Sequence, residues 1–206
     1  MNSMHRRSKH CHEQRANSGS VRNVVLGADF FDRRADHVAR ALIGMTLVRQ
    51  IGSTRREYKI KETEAYLGAH DRACHSARGR TRRTEVMFGT AGQFYIYRIY
   101  GLHLMLNVVT GPQDEASAVL IRSAGDCSGP GRLARHVNVT SALNGQTAEP
   151  NTKMWFERPS KIEQQPIRST ARIGVGYAGT YWSRGKFRFI LLPPLPARNV
   201  VQSLRD

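Results

Sequence analysis

The stretch QFYIYRIY at residues 93–100 and the run LMLNVV at 104–109, joined through Gly101, Leu102 and His103, decide the fold class. Both runs are rich in aromatic and β-branched residues, which favour strands. The short connection between them contains a glycine, which is typical of a β-hairpin. We therefore predict an antiparallel strand pair here, with Tyr100 at the tip of the hairpin.

A second hairpin is predicted upstream, in the runs MTLVRQI at 45–51 and REYKIKETEAY at 56–66, which are separated by Gly52, Ser53 and Thr54. Side chains alternate between the two faces of a strand with a period of two residues. This alternation predicts that Glu62, Glu64 and Tyr66 share one face of the second strand.

Helical signals are fewer than strand signals. Asp32 is expected to cap a helix whose apolar stripe uses Ala35, Val38, Ala39 and Leu42, and Gly44 is expected to end it. Further strands are predicted at 119–121 and 187–192, and a tight turn at 129–131 leads into a possible helix. The class with most support is α+β, with a mixed, mainly antiparallel sheet, hairpins and peripheral helices in a single domain.

Length and composition agree with one packed domain. The chain has 206 residues, of which 40% are hydrophobic, enough for one core and short for two. Residues 1–22 are polar and basic without apolar periodicity, so we expect a disordered basic arm there and a folded domain at 23–206.

The charge points to a polyanionic partner, because 32 Lys and Arg residues face 16 Asp and Glu residues and the formal net charge is +16. Each phosphate that a cationic side chain neutralises releases condensed counterions, so nucleic acid is the leading partner. No stretch approaches the roughly 18 apolar residues of a spanning helix, and no membrane association is expected. We expect a monomer.

The cysteines bear on compartment and metal binding. Cys11, Cys74 and Cys127 match neither a disulfide framework nor a paired zinc-ligand pattern. An intracellular, reducing location is therefore expected, which means cytoplasm or nucleoid in a bacterium and nucleus in a eukaryote. We expect no metal site.

A carboxylate beside an aromatic residue on one strand face, followed by a histidine, would make a pocket with one acid/base group and flat walls. Glu64, Tyr66 and His75 have this arrangement. The alternative is that Glu64 pairs with one of the many arginines and Tyr66 is part of the core. Tyr95, Tyr97 and Tyr100 favour the first interpretation, because aromatic side chains in a basic protein resemble surfaces that stack on bases or wedge between them.

Six stretches, taken in order, closely resemble the alkyladenine (3-methyladenine) DNA glycosylases of the methylpurine DNA glycosylase family. The resemblance runs from Leu26 to about Ile190. The stretches are ETEAYLG at 62–68, CHSARG at 74–79, TEVMFGTAGQFYIYRIYGLHLMLNVV at 84–109, VLIR at 119–122, SGPGRL at 128–133 and ARIGVGYAG at 171–179.

The resemblance implies a role for individual residues. Glu64 matches the catalytic general base that orients water toward the sugar. Tyr100 matches the residue that fills the gap left in the duplex by the extruded nucleotide. The residues implied for the base pocket are Tyr66, His75, Tyr97, Asn107 and Arg122. Apart from the resemblance, positive charge makes Arg78, Arg80, Arg82 and Arg98 candidate phosphate contacts.

The activity implied is that of a monofunctional glycosylase. Such an enzyme flips an alkylated or deaminated purine (3-methyladenine, 7-methylguanine, hypoxanthine or ethenoadenine) out of double-stranded DNA. It then hydrolyses the N-glycosidic bond and leaves an abasic site, without cofactor or metal. The resemblance also implies the fold of the formyltransferase C-terminal domain. Because this fold is shared with other proteins, a non-catalytic basic nucleic-acid-binding module is the alternative.

Three departures from the family pattern stand out. The chain is slightly longer between Asn107 and Arg122, which could displace Arg122 from the site. The segment after Arg122 is shorter than usual, with only residues 123–127 before the Gly-Pro turn. Arg98 replaces a more common aliphatic strand residue, so it should either point outward toward phosphates or be paired.

Overall fold

The computed structural model describes residues 23–161, 163 and 165–194, and the arm predicted at 1–22 lies outside the described residues. The described strands are β1 (Val24–Val25), β2 (Thr46–Ile51), β3 (Thr54–Tyr66), β4 (Phe94–Ile99), β5 (His103–Thr110), β6 (Ser117–Ala124), β7 (Cys127–Ser128), β8 (Met154–Arg158), β9 (Ile167–Thr170) and β10 (Arg188–Leu191). The described α-helices are α1 (Ala28–Phe31), α2 (Ala35–Leu42), α3 (Pro130–His136) and α4 (Thr180–Arg184).

The strands form one open sheet in the order β1-β8-β2-β3-β6-β5-β4, and every pairing between described strands is antiparallel. β10 pairs with β3 and β9, and β7 pairs with β6, outside this path. The α+β class and the two predicted hairpins, β2–β3 and β4–β5, are confirmed. β8 and β9 were not predicted, although β8 lies inside the sheet between β1 and β2.

One helix forms as predicted but begins later. The stripe Ala35, Val38, Ala39 and Leu42 is buried on α2, as its spacing predicts. The prediction that Asp32 caps this helix is wrong, because the N-cap is Arg34. Asp32 instead ends α1, where its backbone N–H donates to the Ala28 carbonyl at 2.8 Å. No helix of the described chain is long and apolar enough to cross a membrane.

Two register shifts in the β3–β6 pairing, between Ile60 and Thr63, position the functional site. Before the shifts, Tyr58 and Ile60 point into the main hydrophobic core; after them, Ala65 does, and the Thr63 hydroxyl donates to a carbonyl of α2. The first shift places one extra residue on β3 and the second places one on β6. An extra residue in a strand exchanges the faces of every later side chain of that strand. It therefore turns Glu62, Glu64 and Tyr66 away from the core, onto the opposite face of the sheet.

The segment after Arg122 is a tight hairpin rather than a gap in the structure. β6 continues to Ala124, which pairs with Cys127, and Gly125 turns the chain with φ +56°. The Ser123 hydroxyl donates to the Cys127 carbonyl at 2.8 Å. The predicted helix forms as α3, but it begins inside the predicted turn, because Gly129 is its N-cap and Pro130 its first residue.

Candidate active site

A cavity of about 460 Å³ opens on the face of the sheet opposite the main core. β3 to β6 and the loops at 73–87 and 173–177 supply its walls. Every residue predicted for the base pocket lines this cavity: Tyr66, His75, Tyr97, Asn107 and Arg122. Tyr100 and Arg98 lie at its edge.

Glu64 lies behind this wall rather than in it. Its side chain has 0% exposure and does not itself line the cavity. One carboxylate oxygen, Oε2, accepts a hydrogen bond from the Tyr66 hydroxyl at 2.9 Å and is paired with Arg122 Nη1 at 3.2 Å. The other, Oε1, accepts from the backbone N–H of Ile173 at 2.8 Å. All three partners line the cavity, so they link the buried carboxylate to it.

Arg122 joins two carboxylates. Its Nε donates to Glu62 Oε1 at 2.7 Å, and the same oxygen accepts from Arg188 Nε at 2.6 Å. Burial lowers the pKa of Arg122, but the nearby carboxylates of Glu64 and Glu62 outweigh this effect and raise the pKa overall. These contacts show that the longer segment before Arg122 has not displaced it from the site.

The aromatic wall is a connected cluster. The rings of His75 and Tyr97 meet edge to face with centroids 4.5 Å apart, and Tyr95 lies 5.4 Å from Tyr97. His75 Nδ1 and the Tyr95 hydroxyl share a hydrogen bond of 2.9 Å. This bond and the edge contact fix the orientation of the imidazole ring.

Burial keeps these rings uncharged. Desolvation, with the positive charges of Arg83 and Arg78, lowers the pKa of His75 to about 4. Desolvation also raises the pKa of Tyr95 to about 12 and that of Tyr97 further still. At neutral pH the wall therefore presents a neutral imidazole and neutral phenols.

Asn107 lines the cavity and is almost completely buried. Its amide nitrogen donates to the carbonyls of Tyr95 at 3.0 Å and Met105 at 3.3 Å. These two bonds fix the orientation of the side chain.

The hairpin tip points outward as predicted. Tyr100 is 90% exposed and has φ +50°, a left-handed conformation that is uncommon for a residue with a side chain. Arg98 is exposed and Nη1 donates to the Gly101 carbonyl, so it takes the outward alternative. Arg78 and Arg82 are also exposed, whereas Arg80 is paired with Asp114 and Glu85.

Several residues of the site were not predicted. Arg172 is buried and forms a bidentate pair with the buried Asp71, Nη2 lying 2.9 Å from Oδ1. The guanidinium also packs 4.8 Å from the Tyr66 ring centroid and donates to the Ala65 carbonyl. This pair brings the neighbouring Ile173 N–H to Glu64. The motif ARIGVGYAG was the available signal, but nothing in it indicated which side chains point inward.

Metal binding is not indicated by the described residues, which contain no group of three or more His, Cys, Asp or Glu side chains placed to hold an ion. Cys74 is buried and Cys127 half-buried, and each has a free thiol. Cys11 lies outside the described residues.

The family model for methylpurine-DNA glycosylase matches residues 29–126 and 124–192. The chain belongs to the methylpurine-DNA glycosylase family. A Myxococcus xanthus relative, provisionally named 3-methyladenine DNA glycosylase, is 43% identical over 79% of this chain and 88% of its own length. A Methanocella arvoryzae relative with the same name is 40% identical over 75% of this chain and 86% of its own length.

Membership of the methylpurine-DNA glycosylase family gives the cavity its interpretation. The protein is a DNA glycosylase, a hydrolase of DNA repair whose substrate is damaged DNA. The strong positive charge found in the sequence agrees with such a substrate.

Proposed function

We propose that the protein excises alkylated and deaminated purines from double-stranded DNA: 3-methyladenine, 7-methylguanine, hypoxanthine and ethenoadenine. The single observation that carries the mechanism is a buried carboxylate, Glu64, held by three donors directly behind a cavity walled by aromatic rings. Water attacks the anomeric carbon of the extruded nucleotide, and Glu64 takes a proton from it. The N-glycosidic bond breaks, its electron pair leaves with the base, and an abasic site remains. A cationic base departs as a neutral molecule, whereas a neutral base such as hypoxanthine takes up one proton from solvent as it leaves.

The coordination of Glu64 supports a role as general base. An ionised carboxylate offers about four acceptor sites. In the free protein, Tyr66, Arg122 and Ile173 fill three of them, and the site that Arg122 fills can pass to a water molecule. The same negative charge would stabilise the oxocarbenium-like sugar in the transition state.

Access to Glu64 requires a change at Arg122, because the carboxylate has no exposed surface in the free protein. The phosphate of the extruded nucleotide competes with Glu64 for this guanidinium. When Arg122 shifts toward the phosphate, the Oε2 atom that it releases accepts a hydrogen bond from the attacking water. Glu62 and Arg188 keep Arg122 close by during this exchange.

The aromatic wall contributes selectivity. An electron-poor, cationic base is attracted to an aromatic face by about 0.5 to 2 kcal/mol more than a neutral one. His75 does not oppose this attraction, since its lowered pKa keeps the ring neutral at physiological pH. A cationic base also leaves without prior protonation. Tyr100 occupies the space that the flipped nucleotide vacates in the duplex.

The glycosylase is proposed to be monofunctional. Among the described residues, no lysine lines the cavity, so none is placed to form a Schiff base with the sugar. Hydrolysis should therefore stop at the abasic site without cutting the strand. We further infer that the protein acts as a monomer through a single domain at 23–206 with the fold of the formyltransferase C-terminal domain, which its antiparallel sheet and few helices support.

The test uses duplex DNA containing hypoxanthine or 1,N6-ethenoadenine, with alkali to reveal abasic sites. Wild type should release the base, and Glu64→Gln should reduce excision at least about 100-fold while duplex affinity stays unchanged. Strand breaks without alkali would contradict the monofunctional assignment. Base release by Glu64→Gln at the wild-type rate would contradict the role of Glu64 as general base. No base release by either protein would favour a nucleic-acid-binding module.

A further inference from the structure

Beside the cavity mouth, the segment 173–181 exposes three large apolar side chains. Ile173 is 51% exposed, Tyr177 70% and Tyr181 74%. Large apolar side chains concentrated on one exposed surface mark an interaction site more often than isolated ones do. We call this set, together with the exposed Arg72, the aromatic shelf.

The shelf is held in place by buried side chains that lie close to the exposed ones along the chain. Arg172 is anchored to Asp71, and Val175 and Ala178 pack with Ala73 in a small buried cluster. The Tyr177 hydroxyl donates to the Ala73 carbonyl at 3.3 Å. The shelf residues are therefore turned outward by a fixed backbone, and their exposure does not result from a loose loop.

The surroundings of the shelf are cationic. Arg72 shares a surface depression with Tyr181. Residues 164–205 contain no Asp or Glu, and exposed Arg184 and Lys186 follow the shelf directly. Asp71, the only acid between residues 69 and 84, is buried and neutralised by Arg172. These charges favour a partner that carries phosphates over a neutral partner.

We propose that the aromatic shelf binds the duplex on one side of the damaged nucleotide. This inference rests on the proposed function. Ile173 and Tyr177 line the cavity as well as the shelf, so the two surfaces are continuous and a strand entering the cavity must run over one of its rims. Tyr side chains donate to phosphate oxygens and pack on sugars, and Arg72 supplies charge. The shelf would thus hold one flanking arm, while Tyr100 occupies the gap in the duplex.

The test measures affinity for a duplex carrying a reduced abasic-site analogue, which has no base to release. Tyr181→Ala and Arg72→Ala are the variants, since neither residue lines the cavity. Arg56→Ala is the matched control: it removes the same charge from an exposed position on β3, ten residues from Tyr66 or roughly 30 Å along the strand. Thermal unfolding confirms that each variant is folded.

Each shelf variant should weaken binding about fivefold or more, and the control should not. Shortening one arm of the duplex to about three base pairs should remove the difference from wild type, and shortening the other arm should preserve it, because the shelf reaches one side only. Affinities equal to that of Arg56→Ala, or a loss that persists whichever arm is shortened, would overturn the proposal. Base excision is measured with the same wild-type sample. If the proposed function is wrong, no base is released; if only the shelf proposal is wrong, base release remains.

Discussion

With one exception, the buried side chains of the site that can carry a charge near neutral pH have partners that offset the cost of leaving water. Glu64 has three donors, Arg122 has two carboxylates and Arg172 has Asp71. An unpaired charge at such a position would cost several kcal/mol. His75 is the exception, because its burial is accommodated by loss of the proton rather than by a counter-ion.

The lowered pKa of His75 predicts a pH dependence of stability. The unfolded chain binds a proton at the ordinary pKa of 6.5, whereas the folded protein binds it only at about 4. Between these values the unfolded state holds more protons, so the stabilising contribution is complete above pH 6.5 and is lost as the pH falls toward 4. Denaturant unfolding across this window should show a steeper decline for wild type than for His75→Gln. Parallel declines would mean that the folded histidine titrates normally.

At the scale of elements, the β4–β5 hairpin is buried where it joins the sheet and exposed at its tip. Phe94 and Ile96 fix β4 to the main core, and Tyr95 and Tyr97 form the aromatic wall on the other face. The tip extends beyond the sheet, so Tyr100 makes little contact with the rest of the protein. Its contribution should therefore concern DNA and not folding.

Replacing Tyr100 with Ala tests that separation. Stability should change by less than about 0.5 kcal/mol, as expected for an exposed side chain away from special contacts. Excision from a paired duplex should fall, because nothing then fills the gap after base extrusion. The loss should be smaller for a lesion in single-stranded DNA, which has no stack to close. Equal losses on both substrates would argue against a wedge.

The loop at 67–75 and the segment 171–175 depend on one buried ion pair. Asp71 also accepts hydrogen bonds from the backbone N–H groups of Leu67 and Ala73. Asp71→Asn should lower the free energy of unfolding by about 3 to 5 kcal/mol, since it leaves the Arg172 charge buried without its counter-ion. Urea unfolding measures this loss. The double variant with Arg172→Met should lose less than the sum of the two single variants. A loss near 1 kcal/mol or below would show that the pair behaves like one exposed to solvent.

At the scale of the whole molecule, the two faces of the sheet have different roles. α2 and α3 cover one face and complete the hydrophobic core. The other face carries the cavity and is bordered by exposed arginines. The net charge of +16 provides long-range attraction, and an exposed arginine without an acidic partner is free to neutralise an individual phosphate.

Salt dependence of DNA affinity distinguishes arginines that neutralise phosphates from arginines that do not. The logarithm of DNA affinity should fall linearly with the logarithm of salt concentration, by about 0.9 per neutralised phosphate. Arg98→Ala should reduce this slope by about that amount. Arg80→Ala should change it less, because Asp114 and Glu85 already hold the Arg80 guanidinium. Equal slopes for wild type and Arg98→Ala would remove Arg98 from the DNA interface.

Much of the fold could be predicted because it depends on local patterns. The hairpins at β2–β3 and β4–β5, the apolar stripe of α2 and the outward Tyr100 all follow from the order of neighbouring residues. β8 was missed because its run MWFER ends in two charged residues and its partner strand, β2, lies about 100 positions earlier in the chain. Asp32 was misassigned as the N-cap of α2 because an aspartate before an apolar stripe favours a helix start. The sequence did not show that a short helix, α1, ends at this residue.

By itself, the sequence determined the residue types at the site, the strand pairs joined by short turns and the positive charge that attracts DNA. Only the tertiary structure decided that the β-bulges between Ile60 and Thr63 turn Glu64 toward the cavity side of the sheet, and that Arg172 brings Ile173 to it from 109 positions along the chain. The physical reason is distance. Periodicity and turn chemistry act between neighbours, whereas strand register and buried ion pairs are set by contacts between segments that meet only when the chain is folded.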